Sequence, residues 1–260
     1  MDISSIFIHV PAHHLPERLP LLLDEHRQPE VACQEVAIEK LDFEHLGFCA
    51  QHLTHQGLRT TLHAPFSGFN PGSTKRRTRK LSHDLADKSL QLAESLKAQR
   101  IIFHPGLKYG TEGKVLDYWV TACRDFWPEF IERAQAFDCI ICIENIYEQT
   151  PDPLIRLLSA IDSDYLGHVF DVGHWNIFSS TKLEDWLQQT APFLRHLHLH
   201  DNHGSRDEHL ALGEGNIDFP TLFNWIRRNN PERLTYTIEN RNFPQTEQSL
   251  KYLGAHLRAQ

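Results

Sequence analysis

Three features of the sequence predict a single (β/α)8 (TIM) barrel over residues 1–260 with a metal site at its C-terminal mouth. Short β-rich runs alternate with longer helical patterns eight times. The length suits one such barrel, and no Gly/Ser- or Pro-rich linker divides the chain. Almost every β-rich run ends in an ionisable residue. A doubly wound sheet is the structural alternative, but it normally uses fewer strands.

The predicted first strand is Ser5–Val10, followed by a helix over Leu15–Glu25. The second strand is read as Ala32–Ile38, with a helix over Asp42–Gln56. The third is Arg59–His63, leading to a long helix over Thr74–Ala98 that Ser73 or Thr74 can cap. The fourth is Arg100–Phe103. Its helix, Lys114–Ala136, contains Pro128, which predicts a kink or two segments. The fifth is Cys139–Glu144 with a helix over Pro153–Ala160, and the sixth Leu166–Asp171 with a helix over Leu183–Thr190. The seventh strand, Leu194–His200, precedes a helix over Phe219–Asn229. There Asp218 is the expected cap and Pro220 fits the first turn. The eighth, Leu234–Glu239, precedes a helix over Thr246–Ala255.

Composition narrows the function. The 26 basic and 34 acidic residues give a net charge of -8, which argues against a generic nucleic-acid binder. Apolar residues at 40% permit a packed core. The N-terminus has no basic region before an apolar run, and no stretch approaches a membrane span, so a cytoplasmic protein is expected. Five cysteines form no disulfide framework. Cys139 and Cys142 match a CxxC spacing, but positions three apart on a strand face opposite ways, so core thiols are expected.

The 18 histidines are the unusual feature. His63 ends the third strand, His104 follows the fourth, Glu144 ends the fifth and Asp171 the sixth, with His174 three residues on. Glu239 ends the eighth. These ends converge on one mouth of a barrel. Packing alone does not explain such a set, because buried unpaired charge is costly and a metal ion offsets it. His196, His198 and His200 share one face of the seventh strand, spread over about 13 Å, so one ion can use only one or two of them. The others suit core, substrate or supporting roles. A Gly-rich loop over 204–217 adds Asp207 and His209, two residues apart, which an extended loop can aim at the mouth.

These motifs resemble the xylose-isomerase-like and endonuclease IV-like barrel superfamily. The resemblance rests on His-Ala-Pro at 63, Phe-His-Pro-Gly at 103, Ile-Glu-Asn at 143 and Phe-Asp-Val-Gly-His at 170. It continues with His-Leu-His-Asp at 198, Arg-Asp-Glu-His and Leu-Gly-Glu-Gly-Asn-Ile from 206, and Ile-Glu-Asn at 238. Resemblance to endonuclease IV implies a trinuclear zinc cluster. His63, His104 and Glu144 would hold one ion. Glu144 would bridge to a second, held also by Asp171, His198 and Glu239. His174, Asp207 and His209 would hold the third. His198, not His200, matches the family ligand because it precedes Asp201 by three. Resemblance to the sugar isomerases and epimerases instead implies one divalent ion, zinc or manganese, on Glu144, Asp171, His198 and Glu239. Glu144 and Glu239 would then also exchange the substrate proton, and His174 would touch a sugar oxygen.

The departures favour small substrates. Phe66-Ser67 stands where endonuclease IV carries a Tyr-Leu wedge, and the run Gln34–Glu39 ends in an acid at the mouth instead of a basic loop. The basic run Lys75–Lys80 either binds a substrate phosphate or is solvated. The expected function is therefore a metal-dependent isomerase or epimerase of a small sugar, sugar phosphate or polyol derivative, acting through an enediolate. The alternative is a zinc-dependent phosphoesterase, including abasic-site cleavage of DNA. No membrane partner is expected, and the sequence is compatible with a homodimer whose partner contributes to the pocket.

Overall fold

The computed structural model describes residues 6–33, 36–229 and 234–258. Eight parallel strands close in sequence order into a barrel, with the first paired to the last. They are β1 (Ile6–Pro11), β2 (Gln28–Ala32), β3 (Thr61–His63), β4 (Arg100–Phe103), β5 (Ile140–Glu144), β6 (Leu166–Asp171), β7 (Leu194–Leu199) and β8 (Thr235–Ile238). Around them run α1 (Leu15–Asp24), α2 (Phe43–His55), α3 (Arg76–Leu96), α4 (Gly113–Gln135), α5 (Asp152–Ile161), α6 (Val172–Phe178), α7 (Leu183–Thr190), α8 (Phe219–Asn229) and α9 (Phe243–Arg258). Among the described residues no helix is long and apolar enough to cross a membrane.

Strand alternation sorts two chemistries. Ile8, Val10, Val31, Leu62, Ile101, Ile143, Phe170, Leu197 and Ile238 face outward into the core beneath the helices. The alternate positions face inward. Ile102, Cys142 and Val169 form a small apolar layer inside the barrel. Glu30, Thr61, His196, His198 and Thr237 are also buried. Buried polar side chains of several strands are thus directed into the barrel.

The structure corrects several expectations. β2 is Gln28–Ala32, not Ala32–Ile38. Pro29 and Glu30 look like loop residues, yet Glu30 is taken up by the barrel interior, fully buried. Val36–Ile38 leads into a 3-10 turn over Ile38–Lys40. Residues Gln34 and Glu35 of the expected second strand, and Ser5 of the first, lie outside the described residues. Because β2 ends early, Glu39 is not at the mouth. It is exposed and pairs with Lys88 on α3 at 3.3 Å.

Helix α3 starts at Arg76 and its N-cap position is Lys75, with no side-chain cap. Ser73 instead accepts from the Lys75 backbone N–H at 3.2 Å. Helix α4 is one continuous helix through Pro128. An interior proline costs about 3 kcal/mol, but Cys123, Trp127, Phe130 and Ile131 bury one face of it. Each large apolar side chain contributes roughly 1.5–3 kcal/mol, so burial outweighs the lost hydrogen bond. Asp218 caps α8 as expected, accepting from Thr221 N–H at 3.0 Å. Helix α6 and the N-terminal part of α9 lie outside the helices that the sequence predicts.

The five cysteines are buried and free. Cys139 packs in the outer core and Cys142 inside the barrel, on opposite faces. Burial pushes the Cys33 thiol up to about 12 and Cys142 up to about 11. The thiolate is the reactive species, so the native protein at pH 8 should scarcely react with Ellman's reagent, whereas guanidinium-unfolded protein should titrate fully. A fast native-state reaction would contradict this packing.

Candidate metal centre

All nine residues singled out at strand ends and in the long loop come together at the mouth. Glu144, ending β5, is the hub. Its Oε2 lies 3.1 Å from His63 Nε2, 3.4 Å from His104 Nε2 and 3.5 Å from His198 Nδ1. Its Oε1 lies 3.1 Å from His174 Nδ1. His198 Nδ1 also faces Glu239 Oε2 at 3.2 Å and Asp171 Oδ2 at 3.7 Å. Asp207 Oδ2 lies 3.0 Å from His209 Nε2 and 3.6 Å from His174 Nε2. Five overlapping ligand groups result among the described residues: His63–His104–Glu144, Glu144–Asp171–His198, His63–His198–Glu239, His200–His209–Glu239 and Glu30–His196–His198.

Local structure explains why these side chains stay in place. Behind Glu144, Asn145 donates to the Asp171 carbonyl at 2.9 Å and accepts from Asp171 N–H at 2.9 Å, clamping the ends of β5 and β6 together. Asp171 caps α6 by accepting from His174 N–H at 2.6 Å, which aims His174 back at the mouth. Behind Glu239, Asn240 donates to the carbonyls of His209 and Leu210 at 3.1 and 2.8 Å. Asp201 gathers the Gly-rich loop, accepting from the N–H groups of Gly213, Gly215 and Ile217. A Cβ on Gly215 would run into the Asn202 carbonyl. The glycines thus serve close backbone approach, which carries Asp207 and His209 to the site. His209 itself sits at φ 53°, a left-handed conformation held by these contacts.

The ring nitrogens test whether a metal fits. Nδ1 of His63, His174 and His209 lies 3.1, 3.0 and 2.7 Å from the backbone carbonyls of Ala64, Asn145 and Glu239. With Nδ1–H donating there, each ring turns an Nε2 lone pair toward a carboxylate oxygen. Two acceptors that close repel unless a proton or a cation lies between them. Buried Glu144 Oε1, His104 Nδ1, His198 Nδ1 and Asp207 Oδ1 also lack a hydrogen-bond partner among the described residues. This donor set fits a divalent cation. Without one, protons fill the role. Burial pushes the His198 and His174 imidazoles down, but the surrounding carboxylates outweigh it and hold both well above their usual range. His209 rises to about 9, because the Asp207 and Glu239 carboxylates outweigh burial. Burial pushes the Glu239 carboxyl up, but His198, His209 and His9 outweigh it and hold it at about 2.

The three histidines of β7 divide as their spacing allows. His196 is a satisfied core residue, with ring nitrogens 2.6 and 2.8 Å from the hydroxyls of Thr235 and Thr237. Burial, opposed by Glu30, pushes it down to about 4, so it is neutral. His198 is at the centre of the cluster. His200 Nε2 contacts both Asp171 carboxylate oxygens at 3.2 Å. A Cβ on Gly173 would collide with the His200 ring, so the glycine of the Asp-Val-Gly-His motif makes room for it.

Sequence reasoning missed Glu30. Its Oε1 lies 3.1 Å from His198 Nε2, on the side of the ring away from the cluster. Its Oε2 accepts from Thr61 and Thr237 hydroxyls at 3.0 and 2.8 Å. Burial pushes the carboxyl up, but His198 and His196 hold it well below the usual range. It is a carboxylate backing a central histidine. No clear strand pattern marks it, because Pro29 and Glu30 sit inside β2. The basic run Lys75–Lys80 lies at the start of α3, mostly exposed, and lines none of the cavities at the mouth.

A closed parallel barrel whose strand ends and loops converge imidazoles and carboxylates on one mouth defines a metal-binding TIM-barrel enzyme. The chain belongs to the xylose isomerase-like TIM barrel family, whose model matches residues 38–259. An uncharacterized protein of Methanocaldococcus jannaschii, MJ1311, is 27% identical over 94% of this chain and 86% of its own length. A probable endonuclease 4 of Ureaplasma parvum is 24% identical over 64% of this chain and 59% of its own. Among solved structures, the TTHB071 protein from Thermus thermophilus, soaked with ZnCl2, is 25% identical with a TM-score of 0.80, covering 96% of this chain and 97% of that one. A D-tagatose 3-epimerase-like protein is 25% identical with a TM-score of 0.80, covering 97% of each chain.

Proposed function

We propose that this chain is a divalent-metal-dependent isomerase or epimerase of a small sugar or polyol derivative. The observation that carries this reading is a cavity of about 210 Å3 with Glu144 and Glu239 both on its wall. Phe66, Ile146, Tyr147 and Phe178 complete it. Such a pocket suits a small molecule with an apolar face for the rings and hydroxyls for the cluster. The likeness to the D-tagatose 3-epimerase-like protein supports the same class.

Glu144, Asp171, His198 and Glu239 would hold the principal ion, with His63, His104, His174, Asp207 and His209 available for one or two more. A bound zinc or manganese ion supplies Lewis-acid polarisation of a substrate carbonyl, which acidifies the adjacent C–H. Glu144 and Glu239 come from separate strands and reach the substrate from two sides. One removes the α-proton, leaving an enediolate, and the other returns a proton. His174, ring-oriented by the Asn145 carbonyl, presents Nε2 to a substrate oxygen. Glu30 holds His198 from behind.

The test is solvent exchange. Metal-loaded protein in D2O with ketoses, aldoses and their phosphates should place deuterium at the carbon beside the carbonyl. The convergence of all nine residues favours a second reading, hydrolysis of a phosphoester by clustered zinc. An abasic-site duplex incubated in parallel distinguishes the two. No deuterium wash-in, with metal-dependent nicking that E144Q abolishes, would replace the first reading by the second.

A further inference from the structure

A second cavity also reaches the cluster at the mouth. It lies between β1–α1 and β8–α9, and its volume is about 550 Å3. Asp207, His209 and Glu239 line both this cavity and the smaller one, so the two border each other at the cluster. Its lining also includes Arg18 of α1 and Arg241, two residues past Glu239. Arg18 makes no hydrogen bond or ion pair among the described residues. Arg241 donates to the Asp207 carbonyl at 2.8 Å and reaches no carboxylate among the described residues.

We propose that this cavity binds an anionic group, a phosphate or a carboxylate, carried by the substrate, with Arg18 and Arg241 as its recognition residues. This rests on the isomerase reading and names its substrate class. The smaller cavity holds the reacting carbons between Glu144 and Glu239. The larger one then takes the rest of the molecule, and its two guanidinium groups set what that end must be. A cluster rich in carboxylates repels an approaching anion, and two guanidinium groups beside it reverse that field locally. Planar guanidinium donors match phosphate and carboxylate oxygens in geometry as well as charge. The first turn of α9, with Asn242, Phe243 and Thr246 on the same wall, adds its partial positive charge.

The test is equilibrium binding, which needs no turnover. Metal-loaded protein is titrated with ribulose 5-phosphate against ribulose, with glucuronate against glucose, and with inorganic phosphate. We expect one anionic sugar to bind at least about tenfold more tightly than its neutral parent, from charge-assisted hydrogen bonds. The phosphate pair and the carboxylate pair tell which anion is meant. R18Q/R241Q should bring that sugar down to the affinity of its neutral parent and leave the neutral sugar unchanged. Both side chains are exposed, so the variant should fold, and thermal unfolding checks this. R76Q/R77Q, in the basic run on α3, should change nothing. Equal binding of charged and neutral sugars, no saturable binding of any anion, or an equal loss in R76Q/R77Q overturns the proposal. Anion discrimination without deuterium exchange would remove the isomerase reading and keep the subsite. Exchange on neutral sugars without discrimination would do the reverse.

Discussion

Replacing Glu239 with Gln is expected to slow deuterium exchange into the true substrate by about 10²- to 10⁴-fold, the range for loss of a general acid–base group. Glu239 is 5% exposed, faces His198 Nδ1 at 3.2 Å and lines both cavities. The imidazoles around it keep it ionised in the metal-free protein. Glutamine keeps the shape but can neither accept that proton nor supply a charge to an ion. The fold should survive, because Tyr236 and Ile238 still pack outward and Asn240 still holds the His209 and Leu210 carbonyls. Metal content measured on the same sample separates loss of the base from loss of the ion. A folded E239Q protein that exchanges deuterium at the wild-type rate would remove Glu239 from the mechanism. E144Q should be at least as damaging, because Glu144 contacts His63, His104, His174 and His198 together.

Chelation should produce the largest change in stability. An ion present at 1,000 times its Kd stabilises by about 4.1 kcal/mol, or roughly 8–16 °C in Tm for a chain of this size. His198→Ala should abolish that difference, since His198 belongs to two of the ligand groups around Glu144 and Glu239. The effect should grow with pH. In metal-free protein the raised imidazoles, His209 among them at about 9, stabilise the fold fully below the unfolded value near 6.5. That contribution is lost as pH rises from there through about 9. Metal-loaded protein has already released those protons, so the gap between the two forms widens from about pH 6.5 to about 9. The lowered carboxylates act in a separate window. Glu239 loses its contribution as pH falls from about 4.5 toward about 2. Differential scanning fluorimetry with and without chelator across pH reads both. A Tm difference that is absent, or that shrinks toward high pH, would contradict a metal held by this cluster.

Much of this protein is legible in one dimension because β-structure has a period of two. Residues such as Ile143 and Glu144, or Ile238 and Glu239, must face opposite ways, so an apolar strand ending in an acid announces both a core and a mouth. Eight such runs leave few architectures, and a closed barrel brings their ends together. The second strand is the exception. A strand interior holding Pro29 and Glu30 violates the expected pattern, and the apolar Val36–Ile38 beyond it looks more like a strand. That shift places Glu39 at the mouth on paper and hides Glu30, whereas the structure reverses the two.

The sequence by itself determined the barrel, the set of nine mouth residues and the choice of His198 over its neighbours. The barrel and the ionisable strand ends follow from local periodicity and strand termini, which are properties of consecutive residues, whereas the nine as one ligand set and the choice of His198 come from the family resemblance. Only the tertiary structure decided that His196 is satisfied by Thr235 and Thr237, and that Glu30 stands behind His198. It also decided that Arg18 and Arg241 line one cavity with Glu239. His196 and Thr235 lie 39 residues apart in the chain, and Glu30 and Arg18 come from its opposite end to His198 and Arg241. Barrel closure sets β8 beside β1 and three strands' inward faces around one imidazole, and no local pattern encodes which polar groups then meet.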